Sequence, residues 1–424
     1  MKQERVRKIH PAGNVKAGIQ IPPSKSYTNR ALIAAALADG PSTILHASES
    51  DDSNFLCSGL SEFGAQLKRV KSTIRAEGTD GTLKVPAKEV FIGNAGTAMR
   101  FLSAVAAIIP GKTVLTGDKQ MQKRPMEDLL AALKMAGVKC TSTDGCPPVT
   151  IHGGHFLGGT IDLDASISSQ YLSALLLVAP YAKRETIIRV KGQLSSLPYV
   201  DMTLHVMRSF GAIFEEVEMK TFIVDAHQHY IGHDFPVEAD ASAASYFIAA
   251  AAITGGRISI PNLSSESLQG DLRLLSIIRE MGCTVTTNEK EIVIQGGQLH
   301  GIDIDMNSIP DCVPTLAVVA AFAEGPSLFH NITHLRYKET DRLAAIAREL
   351  TKLGARVELT EDGMAIHPQP LHGAVIETYN DHRIAMGFAI AGLRIDGVEI
   401  QNPDCVSKSF PTFWKEFEKV EGEG

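Results

Sequence analysis

A chain of 424 residues exceeds what one core usually supports, so two domains are expected. With 44% hydrophobic and 21% charged residues and no apolar run long enough to span a bilayer, the composition is that of a soluble globular protein and excludes a membrane-embedded one. A net charge of −7, from 41 Lys and Arg against 48 Asp and Glu, gives no reason to expect nucleic acid as the partner.

Taken in chain order, a short polar motif opens six times onto an Ala- and Leu-rich run. Ser24-Lys25-Ser26 precedes Ala31 to Ala38, Asn94-Ala95-Gly96-Thr97 precedes Phe101 to Ile109, and Ser166-Ile167-Ser168-Ser169-Gln170 precedes Tyr171 to Ala179. Asp240-Ala241-Ser242, Pro310-Asp311-Cys312 and Asn380-Asp381-His382-Arg383 follow. Taking Ser26, Gly96, Ser169, Ser242, Asp311 and Asp381 as markers, the intervals are 70, 73, 73, 69 and 70 residues, which is an internal repeat. Each run has the length and content of a helix buried on most sides, so each opening is predicted at a helix N-terminus.

A second set of marks runs out of phase with the first. Phe63-Gly64-Ala65, Ala136-Gly137-Val138, Phe210-Gly211-Ala212, Met281-Gly282-Cys283 and Leu353-Gly354-Ala355 each end an amphipathic stretch, with glycines 73, 74, 71 and 72 residues apart. A strand, a turn and a second strand are predicted after each, for example Thr284 to Thr287, Asn288 to Lys290 and Glu291 to Gln295. The repeating unit reads as strand, helix, strand, helix, strand, strand. Five glycines against six openings predict that the last unit is completed by joining the two chain ends. Crossings are expected at Pro22-Pro23 and at 232–236, giving one three-unit domain over 22–236 and another over 1–21 plus 237–424.

Helix N-termini carry unpaired N–H groups and partial positive charge, and Lys25, Arg30, Arg100, Arg124, Lys338, Arg342, Arg383 and Lys408 lie in or beside the openings, or in loops that could reach them. An acidic protein that gathers cations there is expected to hold an anionic ligand. Singly, each motif has a plain structural reading. Ser24 could be only an N-cap, Gly96 a tight turn, Asp311 a cap, and Lys338 to Arg342 the charged first turn of an exposed helix. Their joint occurrence in register favours function.

The six cysteines, Cys57, Cys140, Cys146, Cys283, Cys312 and Cys405, have no metal-type spacing and read as reduced cytosolic thiols. His227, His229 and His233 lack an accompanying carboxylate or cysteine framework and read as a surface loop. Phe410, Phe413, Trp414 and Phe417 are expected to anchor a C-terminal helix. Neither a nucleotide-binding P-loop nor a dinucleotide fingerprint occurs, so ATP and NAD are not expected. The charged Met1 to His10 has no apolar stretch, which argues against secretion.

The strings Pro23 to Arg30, Gly93 to Arg100, Arg124-Pro125, Ser168-Ser169-Gln170, Lys338 to Arg342 and Asn380 to Arg383 occur in an order and spacing that resemble the 5-enolpyruvylshikimate-3-phosphate (EPSP) synthase family over nearly the whole chain. The resemblance implies an α/β fold of two domains, each of three repeated βαβαββ units (an inverse α/β barrel), with helix N-termini facing a cleft that closes on ligand. It implies transfer of the enolpyruvyl group of phosphoenolpyruvate to the 5-hydroxyl of shikimate 3-phosphate by addition and elimination, with phosphate released and no metal or cofactor. Carried over by motif, shikimate 3-phosphate would be held by Lys25, Ser26, Arg30, Ser168, Ser169, Ser196, Tyr199, Asp311 and Lys338. Phosphoenolpyruvate would be held by Lys25, Gly96, Arg124, Gln170, Arg342, Arg383 and Lys408. Asp311 resembles the family's proton acceptor for the 5-hydroxyl, with Glu339 and Lys25 as the groups for proton traffic at C3. Glyphosate is the inhibitor the resemblance implies, and a cytoplasmic monomer the expected form.

The chain departs from the family's pattern at Pro23, where glycine is usual, at His334, where many members have asparagine, and at Phe101, which replaces a proline. The nearest rival is the related enolpyruvyl transferase acting on UDP-N-acetylglucosamine, which typically carries Lys-Asn near its start and a cysteine, or an aspartate, in the loop here spanning 111–124. Ser26 after Lys25 speaks against it, while Asp118 leaves it a small opening. A rival of another class is a non-catalytic protein that merely binds an anion.

Overall fold

The computed structural model describes residues 5–288 and 291–422. The turn expected at Asn288 to Lys290 therefore lies partly outside the described residues, as does the start of the charged N-terminal segment. The chain divides into two compact units, residues 23–237 and residues 1–22 with 238–424.

The unit of residues 23–237 holds three four-stranded sheets built alike. In the second, Val90–Phe91 runs parallel to Gly111–Thr116, which pairs antiparallel with Cys146–Gly153, itself antiparallel to Lys139–Thr143. Gly159–Asp164, Thr186–Lys191, Thr221–Val224 and Phe214–Val217 repeat the pattern. The first sheet takes its parallel edge strand from far along the chain, because Asp234–Pro236 pairs with Ser42–Leu45. The other unit contains the reciprocal case, in which Lys16–Gly18 pairs with Arg257–Ile260 in a sheet completed by Ile292–Gln295 and Thr284–Thr287. Its second sheet is Asp303–Asp305, Ser327–His330, Met364–His367 and Arg356–Leu359. Its third has three strands among the described residues, with Val6–Lys8 antiparallel to Glu399–Gln401 and Val375–Ile376 parallel to it. Among the described residues the two chain ends thus complete the last unit with one strand fewer than the other five sheets.

The predicted openings begin helices at Lys25–Leu37, Gly96–Ile108, Ser169–Val178, Ala241–Thr254 and His382–Ala389. The local chemistry explains where they start. Ser24, Ser168, Asp240 and Asp381 each accept a backbone N–H from two or three residues on, satisfying donors the helix cannot pair. The fifth opening differs from the expectation. Pro310–Cys312 is a 3-10 turn that runs into the α-helix Val313–Ala321, with Pro310 and Pro314 within the first two positions of the turn and of the helix. The Ala-rich helix Ala241–Thr254 is buried along its whole length, as small side chains on every face allow.

The glycine marks close helices as predicted. Gly64, Gly137, Gly211, Gly282 and Gly354 follow Asp51–Glu62, Glu127–Met135, Pro198–Ser209, Leu274–Glu280 and Arg342–Lys352, at φ between 84° and 114°. That left-handed region favours glycine at a helix C-terminus. Each unit encloses its own apolar core. In the unit with both chain ends, Phe413 packs on Tyr246 and Phe247 at ring separations of 5.7 and 6.0 Å, tying the C-terminal helix Phe413–Phe417 to Ala241–Thr254. Among the described residues no helix is long and apolar enough to cross a membrane.

Candidate active site

In the unit of residues 23–237, the three helix openings hold their polar groups in distinct ways. Lys25 begins its helix with its Nζ 3.0 Å from Asp52, which is buried in the first turn of the next helix. Arg30 is 2% exposed and directs its guanidinium inward. Its Nε donates to Thr203 Oγ1 at 2.7 Å, Nη1 to the Ser26 carbonyl at 3.0 Å and Nη2 to the Tyr199 carbonyl at 2.9 Å. Burial lowers its pKa to about 10, which still leaves it charged at neutral pH. The guanidinium thus pins the backbone carrying two predicted ligand residues, Ser26 and Tyr199. Arg100 does the same for the second opening, donating to the Gly96 carbonyl at 3.1 Å and the Pro125 carbonyl at 2.9 Å. It thereby fixes the start of Gly96–Ile108 against the loop bearing Arg124.

Gly96 and Arg124 are in close apposition. A Cβ built on Gly96 would lie 2.6–2.7 Å from Arg124 guanidinium atoms. At the third opening Ser168 caps the helix, accepting from the Gln170 N–H at 3.3 Å, and Ser169 is buried. Among the described residues the buried Gln170 Oε1 and Ser196 Oγ have no hydrogen-bond partner. Ser196 also adopts φ 56°, a left-handed conformation uncommon for a residue with a Cβ. Buried polar atoms without a partner are uncommon in folded proteins.

The unit with both chain ends gathers the opposite charges. Arg342, 1% exposed, donates from Nε to Asp381 Oδ2 at 2.8 Å, from Nη1 to Asp311 Oδ1 at 2.9 Å and from Nη2 to Glu339 Oε2 at 2.7 Å. Burial would lower its pKa, but Asp381, Glu339 and Asp311 more than offset this and hold it above the ordinary value. Arg383 donates to the other Asp311 oxygen at 2.6 Å and to the Tyr246 hydroxyl at 3.2 Å. Lys408 Nζ stands 3.7 Å from Glu339 Oε1. The exposed-helix reading of Lys338 to Arg342 is therefore excluded for Arg342, although Asp341 does cap that helix through the Ala344 N–H. Fixed cations paired with Asp311 and Glu339 can exchange those partners for an anionic ligand and can support proton transfer.

His334 lies at the edge of this cluster, 4% exposed, and among the described residues its Nε2 has no hydrogen-bond partner. Burial, then the charge of Lys338, lowers its pKa to about 3, so the ring is neutral at working pH. Behind Asp311, the buried Asp271 accepts a hydrogen bond from Ser242 Oγ. Burial and then Asp311 raise its pKa to about 6. A carboxyl with a folded pKa above its unfolded one binds its proton more tightly when folded, so it costs stability as pH rises from about 4 through about 6. Asp271→Asn should remove this cost, so denaturant unfolding of the two proteins should diverge by about 2 kcal/mol between pH 4 and pH 7, with the variant favoured at the higher pH. Parallel pH profiles would contradict it.

Sequence reasoning missed Asp52, Thr203, Tyr246, Asp271 and the Asp381 carboxylate as partners of these groups. Only Asp381 carried a signal, as the marker of its opening. Asp118, which kept the sugar-nucleotide rival open, accepts from the Gln120 and Met121 N–H groups at 3.0 and 2.8 Å and so caps a turn. His229 Nδ1 sits 2.5 Å from Asp80.

The chain matches the family described as EPSP synthase (3-phosphoshikimate 1-carboxyvinyltransferase) over residues 9–417. It is 43% identical over 414 residues to a 3-phosphoshikimate 1-carboxyvinyltransferase of Trichormus variabilis, covering 96% of this chain and 97% of that one. It is 44% identical over 416 residues to the protein of that name from Methanospirillum hungatei, covering 96% of each. A solved EPSP synthase from Acinetobacter baumannii superposes with a TM-score of 0.81 at 29% identity, over 99% of this chain and 98% of that one. With the fold, the gathered cations and these relatives in agreement, the chain belongs to the EPSP synthase (3-phosphoshikimate 1-carboxyvinyltransferase) family.

Proposed function

We propose that the chain transfers the enolpyruvyl group of phosphoenolpyruvate to the 5-hydroxyl of shikimate 3-phosphate and releases phosphate. The observation that supports this best is the Asp311 carboxylate held between Arg342 and Arg383, with Glu339 between Arg342 and Lys408. Addition and elimination needs a base for the hydroxyl, a group that gives and retrieves a proton at C3, and cations that hold a carboxylate and a phosphate throughout. Asp311 takes the 5-hydroxyl proton as that oxygen attacks C2. Glu339 and Lys25 carry the proton to C3 and back, and the tetrahedral intermediate then loses phosphate.

Residues 23–237 contribute Lys25, Ser26, Arg30, Ser168, Ser169, Ser196 and Tyr199 toward shikimate 3-phosphate, hydroxyls and cations being suited to its phosphate. Arg30 acts largely through the Ser26 and Tyr199 backbone it holds. The same unit offers Lys25, Gly96, Arg124 and Gln170 to phosphoenolpyruvate. From the other unit Asp311 and Lys338 serve the first substrate, while Arg342, Arg383 and Lys408 serve the second. Guanidinium forks suit its carboxylate and phosphate oxygens, which a lysine binds only as a point charge. The chemistry requires no metal or cofactor. Glyphosate competes with phosphoenolpyruvate, and the working form is a cytoplasmic monomer whose two units act as its domains.

Turnover in heavy water tests the mechanism. Protonation at C3 makes that carbon a methyl group, so elimination leaves deuterium in the vinyl group of the product. Product free of deuterium would sink addition and elimination. The tight apposition at Gly96 gives a second result: Gly96→Ala should displace the Arg124 guanidinium and raise KM for phosphoenolpyruvate about 10- to 100-fold. Steady-state kinetics with an unchanged KM would mean that Arg124 yields freely or does not grip this substrate.

A further inference from the structure

Glu349 is fully buried, yet it takes no part in the charge cluster around Asp311. It lies on the helix Arg342–Lys352, seven residues beyond Arg342, about 10 Å along the axis and on nearly the same face. Its Oε1 accepts a hydrogen bond from the Tyr379 hydroxyl at 2.6 Å, and its Oε2 accepts from the Glu377 N–H at 3.0 Å and from Lys352 Nζ at 2.8 Å. Arg348 donates to the same Tyr379 hydroxyl at 3.1 Å. Burial, then the bond to Glu349, pushes the Tyr379 phenol up to about 12, so it remains a donor at working pH.

The segment that Glu349 grips leads directly into the sixth opening. Tyr379 and Asn380 both have φ 54°, a consecutive left-handed pair that residues with a Cβ adopt only under constraint. Asn402 Nδ2 steadies the second of them through Asn380 Oδ1 at 3.0 Å. Asp381 follows, with its carboxylate on the Arg342 guanidinium and on the Arg383 N–H at 2.9 Å. The helix Arg342–Lys352 therefore holds 377–381 at two points, one at Asp381 and one at Glu349.

We propose that Glu349 is a positioning residue, which fixes 377–381 through the Tyr379 hydroxyl and the Glu377 N–H and thereby sets Asp381 and the orientation of Arg342 and Arg383. The kinetic readout rests on the reading of those arginines as the groups that grip phosphoenolpyruvate. Tyr379→Phe removes one hydroxyl and keeps the ring; Glu349→Gln keeps the shape and one acceptor. In the full chain, each should raise KM for phosphoenolpyruvate about fivefold or more and leave KM for shikimate 3-phosphate unchanged. A lower unfolding midpoint with both KM values unchanged would make Glu349 merely structural and overturn the proposal.

The two readings fail separately. If the unaltered chain does not turn over phosphoenolpyruvate, the functional reading fails, and the positioning role is then decided by a urea double-mutant cycle of Tyr379→Phe with Asp381→Asn. Non-additive changes support the two-point hold, and additive ones contradict it.

Discussion

Asp311→Asn is expected to lower kcat by about 10²–10⁴-fold while shikimate 3-phosphate still binds, because the amide keeps an acceptor oxygen but cannot take the 5-hydroxyl proton. The fold should survive the change. Arg342 retains Asp381 and Glu339, and Arg383 retains the Tyr246 hydroxyl. Calorimetric binding of shikimate 3-phosphate, set beside turnover, separates the alternatives. Affinity and turnover lost in equal measure would favour a protein that only binds anions; selective loss of turnover marks Asp311 as catalytic.

Arg342→Met carries the largest expected cost in stability. One guanidinium answers three carboxylates, and Asp381 is fully buried. Removing the cation leaves that carboxylate uncompensated in the core, a loss of about 3–5 kcal/mol by comparison with other broken buried pairs. Denaturant unfolding reads this directly. Arg342→Lys should recover part of the stability and little of the activity, since an ammonium cannot serve three partners in a plane as the guanidinium fork does. A lysine variant with ordinary KM and kcat would show that the fork geometry is dispensable.

Much of this architecture was legible because its causes are local. A serine or aspartate before an Ala-rich run meets N–H groups two or three residues on, so Ser24, Ser168, Asp240 and Asp381 announce their helices in adjacent sequence. The five glycines likewise mark helix ends through their own φ. Resemblance, and not spacing, supplied the residues of the site. What stayed hidden depends on distant partners. Nothing between Ser26 and Arg30 tells that the guanidinium turns inward, because Thr203 lies 173 positions away. The burial of Arg342 depends in the same way on Asp381, 39 positions on. The strand partners of Lys16–Gly18 and Asp234–Pro236 were not legible, although the crossings drawn at Pro22-Pro23 and 232–236 put each strand in the unit where it pairs.

Asp118 shows the converse. As a residue type it suited a rival enzyme, and only its hydrogen bonds to Gln120 and Met121 reveal a carboxylate already occupied by a turn.

The most direct test is phosphate release from phosphoenolpyruvate, measured in parallel with shikimate 3-phosphate and with UDP-N-acetylglucosamine as acceptor, in the presence of a chelator. Release with shikimate 3-phosphate alone is the predicted result and would also establish independence from metal. Release only with the sugar nucleotide, or silence with both from folded protein, would contradict enolpyruvyl transfer to shikimate 3-phosphate.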